Sequence, residues 1–152
     1  MTSTGVVTAA VGVPVAELSC ALPGATVTFL TWHGVPDEGL DRELAAYFAA
    51  QVGFSYTLGE VNEFPDGSAY VAPEPASDFR RLAQHLHQRF RENTPLTHFG
   101  TDLIPHLALP EDPVLRQAVL DRLPLHCHAQ EAVLRAPDGV VVGCYPFATS
   151  AA

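Results

Sequence analysis

The chain has 152 residues, a formal charge of −9 and 47% hydrophobic residues. This length and composition indicate one compact domain that is large enough to bury a core without stabilisation by disulfides or metals. All eight basic residues are arginines, and 17 acidic residues outnumber them. The resulting negative field repels polyanions, so we expect no extended binding along RNA or DNA. No apolar run approaches the roughly 20 residues that a membrane helix needs, so we expect no membrane partner.

Two further features bear on the compartment. The apolar N-terminus has no basic residue before Arg42, which is unlike a secretory signal. Three cysteines, Cys20, Cys127 and Cys144, lie far apart without C-x-x-C spacing. This scattered, odd number favours reduced thiols in a cytoplasmic protein over a disulfide framework or a zinc knuckle.

The first half of the chain combines strand patterns with one helix. Valine-rich and β-branched runs predict strands, apolar residues at helical spacing predict a helix, and Pro-Asp-Gly predicts a turn. The predicted elements in order are strands 5–15 and 25–32, a helix over 36–52, a strand over 54–61, a turn at 64–67 and a strand over 68–74.

The second half repeats this order after a connecting helix. That helix has an apolar stripe and Ser77 as its predicted N-cap, and a later helix has Asp112 as N-cap followed by Pro113. The predicted elements are a helix over 77–93, a strand over 102–110, a helix over 111–123, a strand run over 125–135, a turn at 136–139 and a strand over 140–147.

The two halves therefore read as an internal duplication of one strand–helix–hairpin unit. We expect an α+β fold of two similar lobes related by a pseudo-two-fold axis, with antiparallel sheets lining a central groove and helices on the outside. Residues 1–152 would form this single bilobal domain. Strands 26–30 and 105–109 would be equivalent and would face one another across the groove.

The chain resembles the two-histidine (2H) phosphoesterase superfamily, specifically its bacterial 2′-5′ RNA ligase-like branch, from about residue 6 to residue 147. The segments that carry the resemblance are "TVTFL", "FPDGSAYVAPEP" and "IPHLALP". The family has two H-x-[ST] motifs on equivalent strands. The resemblance implies that one histidine acts as general base and the other as general acid, and that the hydroxyls hold the phosphate without a metal or cofactor. The substrates it implies are 2′,3′-cyclic phosphates, 2′-5′ linkages and related small phosphoesters.

Both motifs depart from the family pattern. The first reads Thr26-Val27-Thr28 and lacks the histidine, whereas the second reads His106-Leu107-Ala108 and lacks the hydroxyl. The resemblance thus implies His106 as the one catalytic acid–base group, with Thr28 and Thr26 holding the phosphate. His33, just past the first motif, is a candidate to replace the missing histidine or else a loop histidine at a helix entry.

Three functions remain open at this stage. The chain is a phosphodiesterase with an incomplete site, an inactive relative that binds a nucleotide or small metabolite, or a protein with different chemistry in the same groove. His126 and His128 share one face of a strand and would chelate a metal only with a third ligand such as His106. We expect instead a half-buried strand whose two histidines are either solvated or face the groove, and no metal or cofactor. The sequence leaves the oligomeric state open.

Overall fold

The computed structural model describes residues 8–33, 37–91, 94, 104–136 and 138–148, without the side chains of Thr8 and His33. Within these ranges the chain forms eight strands and three α-helices. In order they are β1 (Thr8–Pro14), β2 (Thr26–His33), α1 (Glu38–Ala49), β3 (Phe54–Glu63), β4 (Ala69–Glu74), α2 (Ser77–Arg89), β5 (His106–Ala108), α3 (Pro113–Leu120), β6 (Leu125–Ala129), β7 (Glu131–Arg135) and β8 (Val141–Pro146), with a 3-10 turn at Ala16–Leu18 after β1.

Most predicted elements are present, but several bounds differ; the strand predicted over 102–110 is shortened to His106–Ala108, and the helix predicted over 77–93 ends at Arg89. The side chain of Asp112 accepts hydrogen bonds from the first turn of α3, as predicted, but Ser77 is the first residue of α2 and Ala76 is its N-cap. The run over 125–135 is not one strand, because Gln130 separates β6 from β7. The predicted turns at 64–67 and 136–139 have their glycines, Gly67 and Gly139, at positive φ.

All strands belong to one antiparallel sheet, in the order β6-β3-β4-β5-β2-β1-β7-β8. The expected strands 26–30 and 105–109 are hydrogen-bonded neighbours in the middle of this sheet, and do not face each other from separate sheets. This pairing is favourable because the backbone N–H and C=O groups of each strand form hydrogen bonds with the other, so neither strand is left with an unpaired edge on that side.

The connection between β6 and β7 makes the sheet curl. These strands are first and seventh in the sheet, yet Gln130 alone joins them. One residue spans at most about 3.6 Å, so the two ends of the sheet must come together at this point. A bridge between Val52 and Ala148 closes the same region, where the Ala148 amide donates to the Gln51 carbonyl at 2.7 Å.

The helices α1 and α2 cover one face of the curled sheet and form the core with it. Phe79 of α2 is fully buried and packs on Phe29, Phe54 and Tyr56 from β2 and β3. Phe48 of α1 stacks on two aromatic rings at the end of the chain, Tyr145 and Phe147. Among the described residues, none of the helices is both long and apolar enough to cross a membrane.

Candidate functional site

The two motif segments meet at the centre of the sheet. Thr28 of β2 pairs directly with His106 of β5, and Val27 pairs with Leu107. Val27 and Leu107 are buried on the helix-covered face, whereas Thr28 and His106 are partly exposed. Since side chains alternate between faces along a strand, Thr26, Thr28 and His106 all lie on the opposite, open face of the sheet.

The imidazole of His106 is held in one orientation. Its Nδ1 is 2.8 Å from the carbonyl oxygen of Ile104, and a carbonyl oxygen can only accept, so Nδ1 carries the proton. In the neutral ring this leaves Nε2 unprotonated and free to accept a proton. The rings of Phe64 and Tyr70 contact the imidazole edge-on, with centroid distances of 5.1 and 6.1 Å.

The two threonines of the first motif differ in their hydrogen bonds. Thr26 Oγ1 donates to the carbonyl oxygen of Gly24 at 2.9 Å, so its one hydroxyl proton is already used. Thr28 makes no side-chain hydrogen bond within the described part of the chain, and its hydroxyl is therefore available to a ligand. Of the two predicted phosphate-binding residues, Thr28 is the better placed to donate.

A cleft of about 290 Å³ opens beside the motif strands, and we call it the central cleft. Its described lining contains a single charged side chain, that of Arg135, and no carboxylate, although acidic residues outnumber basic ones in the chain. The lining residues are Leu22, Pro23, Gly24, Ala25, Thr26, Thr28, Leu107, Ala108, Leu109, Pro110 and Arg135. His106 is the neighbour of Leu107 on β5 and lies just outside this set.

Arg135 is a site residue that the sequence analysis missed. Its Nη1 donates to the carbonyl oxygen of Gly139 at 2.9 Å, and its Nε is buried without a hydrogen-bond partner in the described structure. No described carboxylate forms an ion pair with it. The only signal in the sequence was a lone arginine at the end of a buried strand, which by itself does not show which cleft the side chain reaches.

Two glycines allow the backbone to approach this cleft closely. Gly12 of β1 lies beside Thr28, and a Cβ there would come within 2.6 Å of both the Thr26 Cγ2 and the Val27 oxygen. Gly24 has a φ of +81°, which favours glycine, and a Cβ there would lie 3.5 Å from the Arg135 Nη1. The absence of a side chain at these two glycines lets the loop before β2 pack closely against the Arg135 guanidinium.

A second cleft, which we call the edge cleft, lies beside β6 and has a volume of about 340 Å³. His126 and His128 line this cleft and not the one beside the motif strands, and their Nδ1 atoms are 3.0 and 3.2 Å from the hydroxyls of Thr57 and Ser55. The full lining is Glu17, Ser55, Tyr56, Thr57, Glu74, Pro75, His126, Cys127 and His128. In the described part of the chain, no three His, Cys, Asp or Glu side chains are grouped as metal ligands.

His33, the candidate to replace the missing motif histidine, has its backbone away from the motif pair. The backbone of His33 ends β2, five residues beyond Thr28, which is about 16 Å along a strand. Its side chain lies outside the described structure. The placement of the His33 backbone therefore gives no support to the idea that it replaces the missing motif histidine.

Neither the protein-family models nor the curated proteins searched include a match to this chain. The resemblance to the 2H phosphoesterases thus depends on the motif segments, and the geometry of the central sheet is the main structural argument that bears on it.

Proposed function

We propose that the protein acts on a small 2′,3′-cyclic or 2′-5′ phosphoester through an incomplete 2H-type site centred on His106 and Thr28. One observation carries the proposal, namely the register that sets Thr28 opposite His106 with Val27 and Leu107 as the next pair. Continued by one residue, this register sets Thr26 opposite Ala108. The first position of each motif then faces the third position of the other, which is what two equivalent motifs around a two-fold axis require.

The sheet order supports the two-lobed arrangement in the same proposal. Four strands, β6-β3-β4-β5, would form one lobe, and β2-β1-β7-β8 would form the other, with the axis between β5 and β2. Each lobe contains one hairpin with a Pro-Asp-Gly turn, at 64–67 and at 136–139. The open face between the two hairpins would be the groove.

The chemistry follows from the groups that remain. His106 Nε2 would accept a proton from the attacking water or give one to the leaving oxygen, and the Thr28 hydroxyl would donate to a phosphate oxygen. A single histidine cannot serve both sides of an in-line displacement in one step. We therefore expect turnover about 10²–10⁴-fold slower than with two histidines.

Binding without turnover is the second candidate, and Thr26 favours it. This threonine stands where the other histidine would be, and its hydroxyl proton is bonded to the Gly24 oxygen. A threonine hydroxyl does not exchange protons usefully near neutral pH, so the position offers no acid or base. In this case the groove would hold a nucleotide or small metabolite and leave it unchanged.

The expected partners and compartment follow from charge and cysteine chemistry. The net charge of −9 supports a small phosphoester or nucleotide as ligand over an extended nucleic acid. Cys20, Cys127 and Cys144 are free thiols, which supports a cytoplasmic location.

Turnover of a panel of 2′,3′-cyclic mononucleotides and 2′-5′ dinucleotides tests the proposal. The wild type is compared with His106→Ala and with the matched control His126→Ala, which removes a histidine from the edge cleft. We expect slow turnover that His106→Ala abolishes and His126→Ala leaves unchanged. Equal rates in the wild type and in His106→Ala would refute catalysis of these substrates at this site, and binding of the same compounds would then distinguish the second candidate.

A further inference from the structure

We infer that the central cleft is a binding site for a small anion, with the Arg135 guanidinium as its anchor and a phosphate group as its ligand. The choice of phosphate among anions rests on the proposed function, whereas the anion site itself rests on the geometry of the cleft.

The first argument is that Arg135 has no carboxylate partner among the described residues. A charged group that is partly withdrawn from water is costly unless it is paired. The guanidinium makes one described hydrogen bond, to the Gly139 oxygen, while its buried Nε has no partner. A guanidinium carries more N–H groups than this single bond uses, and its planar fork matches the oxygens of a phosphate.

The second argument is the composition of the lining. A cleft of about 290 Å³ accommodates a phosphate group together with part of an attached sugar. Thr28 contributes a hydroxyl that makes no hydrogen bond to a described residue, and the described lining contains no carboxylate that would repel an anion. The chain as a whole has a charge of −9, so this local exclusion of acidic groups differs from the rest of the molecule.

The third argument is the position of the central cleft next to the motif pair. Ala108 and Thr28 line the cleft, and Thr28 pairs with His106. An anion held by Arg135 would therefore lie next to the motif pair, on the open face of the sheet. Arg135 would be a binding residue that orients the ligand, and it would not take part in proton transfer.

Titration calorimetry with inorganic phosphate and with adenosine 3′-monophosphate at low ionic strength tests the inference. Two substitutions at the exposed Ala108 form the sharpest pair, because Ala108→Asp places a carboxylate in the cleft while Ala108→Asn changes its shape equally without the charge. We expect Ala108→Asp to weaken binding by roughly 10-fold to 100-fold and Ala108→Asn to retain most of it. Equal affinity in these two variants would overturn the inference.

Substitution of the arginine itself gives the second comparison. Arg135→Gln should weaken phosphate binding by a similar factor, and Arg135→Lys, which keeps the charge, should recover part of it. Arg122→Gln is the matched control, because it removes the same charge from an exposed arginine at the end of α3. A melting temperature for each variant shows whether loss of the bond to Gly139 has unfolded the chain. Equal losses in Arg135→Gln and Arg122→Gln, or no binding of either probe by the wild type, would refute the site.

The outcomes separate this inference from the proposed function. Phosphate binding that depends on Arg135, without turnover of any cyclic phosphate, would retain the anion site and remove the enzyme. Turnover that depends on His106, with binding and KM unchanged in Arg135→Gln, would retain the enzyme and remove the anion site.

Discussion

The two clefts of this sheet have similar volumes, about 290 and 340 Å³, and opposite electrostatic character. The central cleft has one arginine and no described carboxylate. The edge cleft has two carboxylates, Glu17 and Glu74, and two histidines. The two clefts are similar in size, and the net charge of −9 acts on both, so neither size nor net charge favours one of them for an anion. The charged side chains that line each cleft favour the central cleft as the anion site, and this cleft adjoins the motif pair.

The largest expected effect comes from substituting two glycines, one next to each cleft. Gly12→Ala would push a Cβ to 2.6 Å from the Val27 oxygen, and Gly53→Ala would push one to 2.7 Å from the Ala129 oxygen beside the edge cleft. Neither backbone atom can move away cheaply, so we expect each change to lower the free energy of unfolding by about 3 kcal/mol in urea titrations. Only Gly12→Ala should also impair phosphate binding.

Gly39→Ala is the control for this pair. Its Cβ would meet only the Asp37 Oδ1 at 3.5 Å, and the position lies inside α1, so we expect a gain in stability of about 0.5–1 kcal/mol. Comparable phosphate affinity in Gly12→Ala and Gly53→Ala would show that the central cleft is not the anion site.

A smaller effect distinguishes the two threonines of the first motif. Thr28→Val removes a free hydroxyl from the central cleft, so we expect phosphate affinity to fall roughly 10-fold, with little change in stability. Thr26→Val removes a hydroxyl that is already bonded to the Gly24 oxygen, so we expect unchanged affinity and a loss of about 1 kcal/mol in the free energy of unfolding. The reverse pattern in calorimetry and urea titration would contradict our assignment of the two roles.

The central pair and the missed arginine show what the sequence could predict. The alternation of side chains along a strand places the first and third positions of each motif on one face. It does not show that β2 and β5 are hydrogen-bonded neighbours, and from the sequence we expected them to face each other across a groove. Arg135 could not be placed in the same way, because its position depends on the pairing of β1 with both β2 and β7. That pairing is set by long-range contacts and by the curl at Gln130. The run over 125–135 has no turn residue that marks its division into two strands in different parts of the sheet.

The edge cleft should contribute to the loss of stability at alkaline pH, because Cys127 lines it. Burial raises the pKa of the Cys127 thiol to about 12, from an ordinary value of 9.0, and the nearby Glu17 carboxylate adds to the rise. Between these two values the unfolded chain loses a proton that the folded chain keeps, so stability falls as the pH rises from about 9 to about 12. Cys127→Ala should reduce this alkaline slope in pH-dependent urea titrations. Cys20→Ala, at an exposed thiol, should leave it unchanged, and an equal effect of both substitutions would contradict the assignment to Cys127.

The smallest expected effect belongs to Glu17. Its Oε2 accepts a hydrogen bond at 3.1 Å from the His128 amide on the outer strand β6, an exposed contact worth no more than about 1 kcal/mol. Glu17→Gln keeps an oxygen at this position but removes the charge, so we expect a stability loss below that figure and no change in phosphate binding at the central cleft. A gain in phosphate affinity would mean that the edge cleft also takes anions once its repulsion is reduced. Cleft charge, more than proximity to the motif pair, would then determine where this protein binds phosphate.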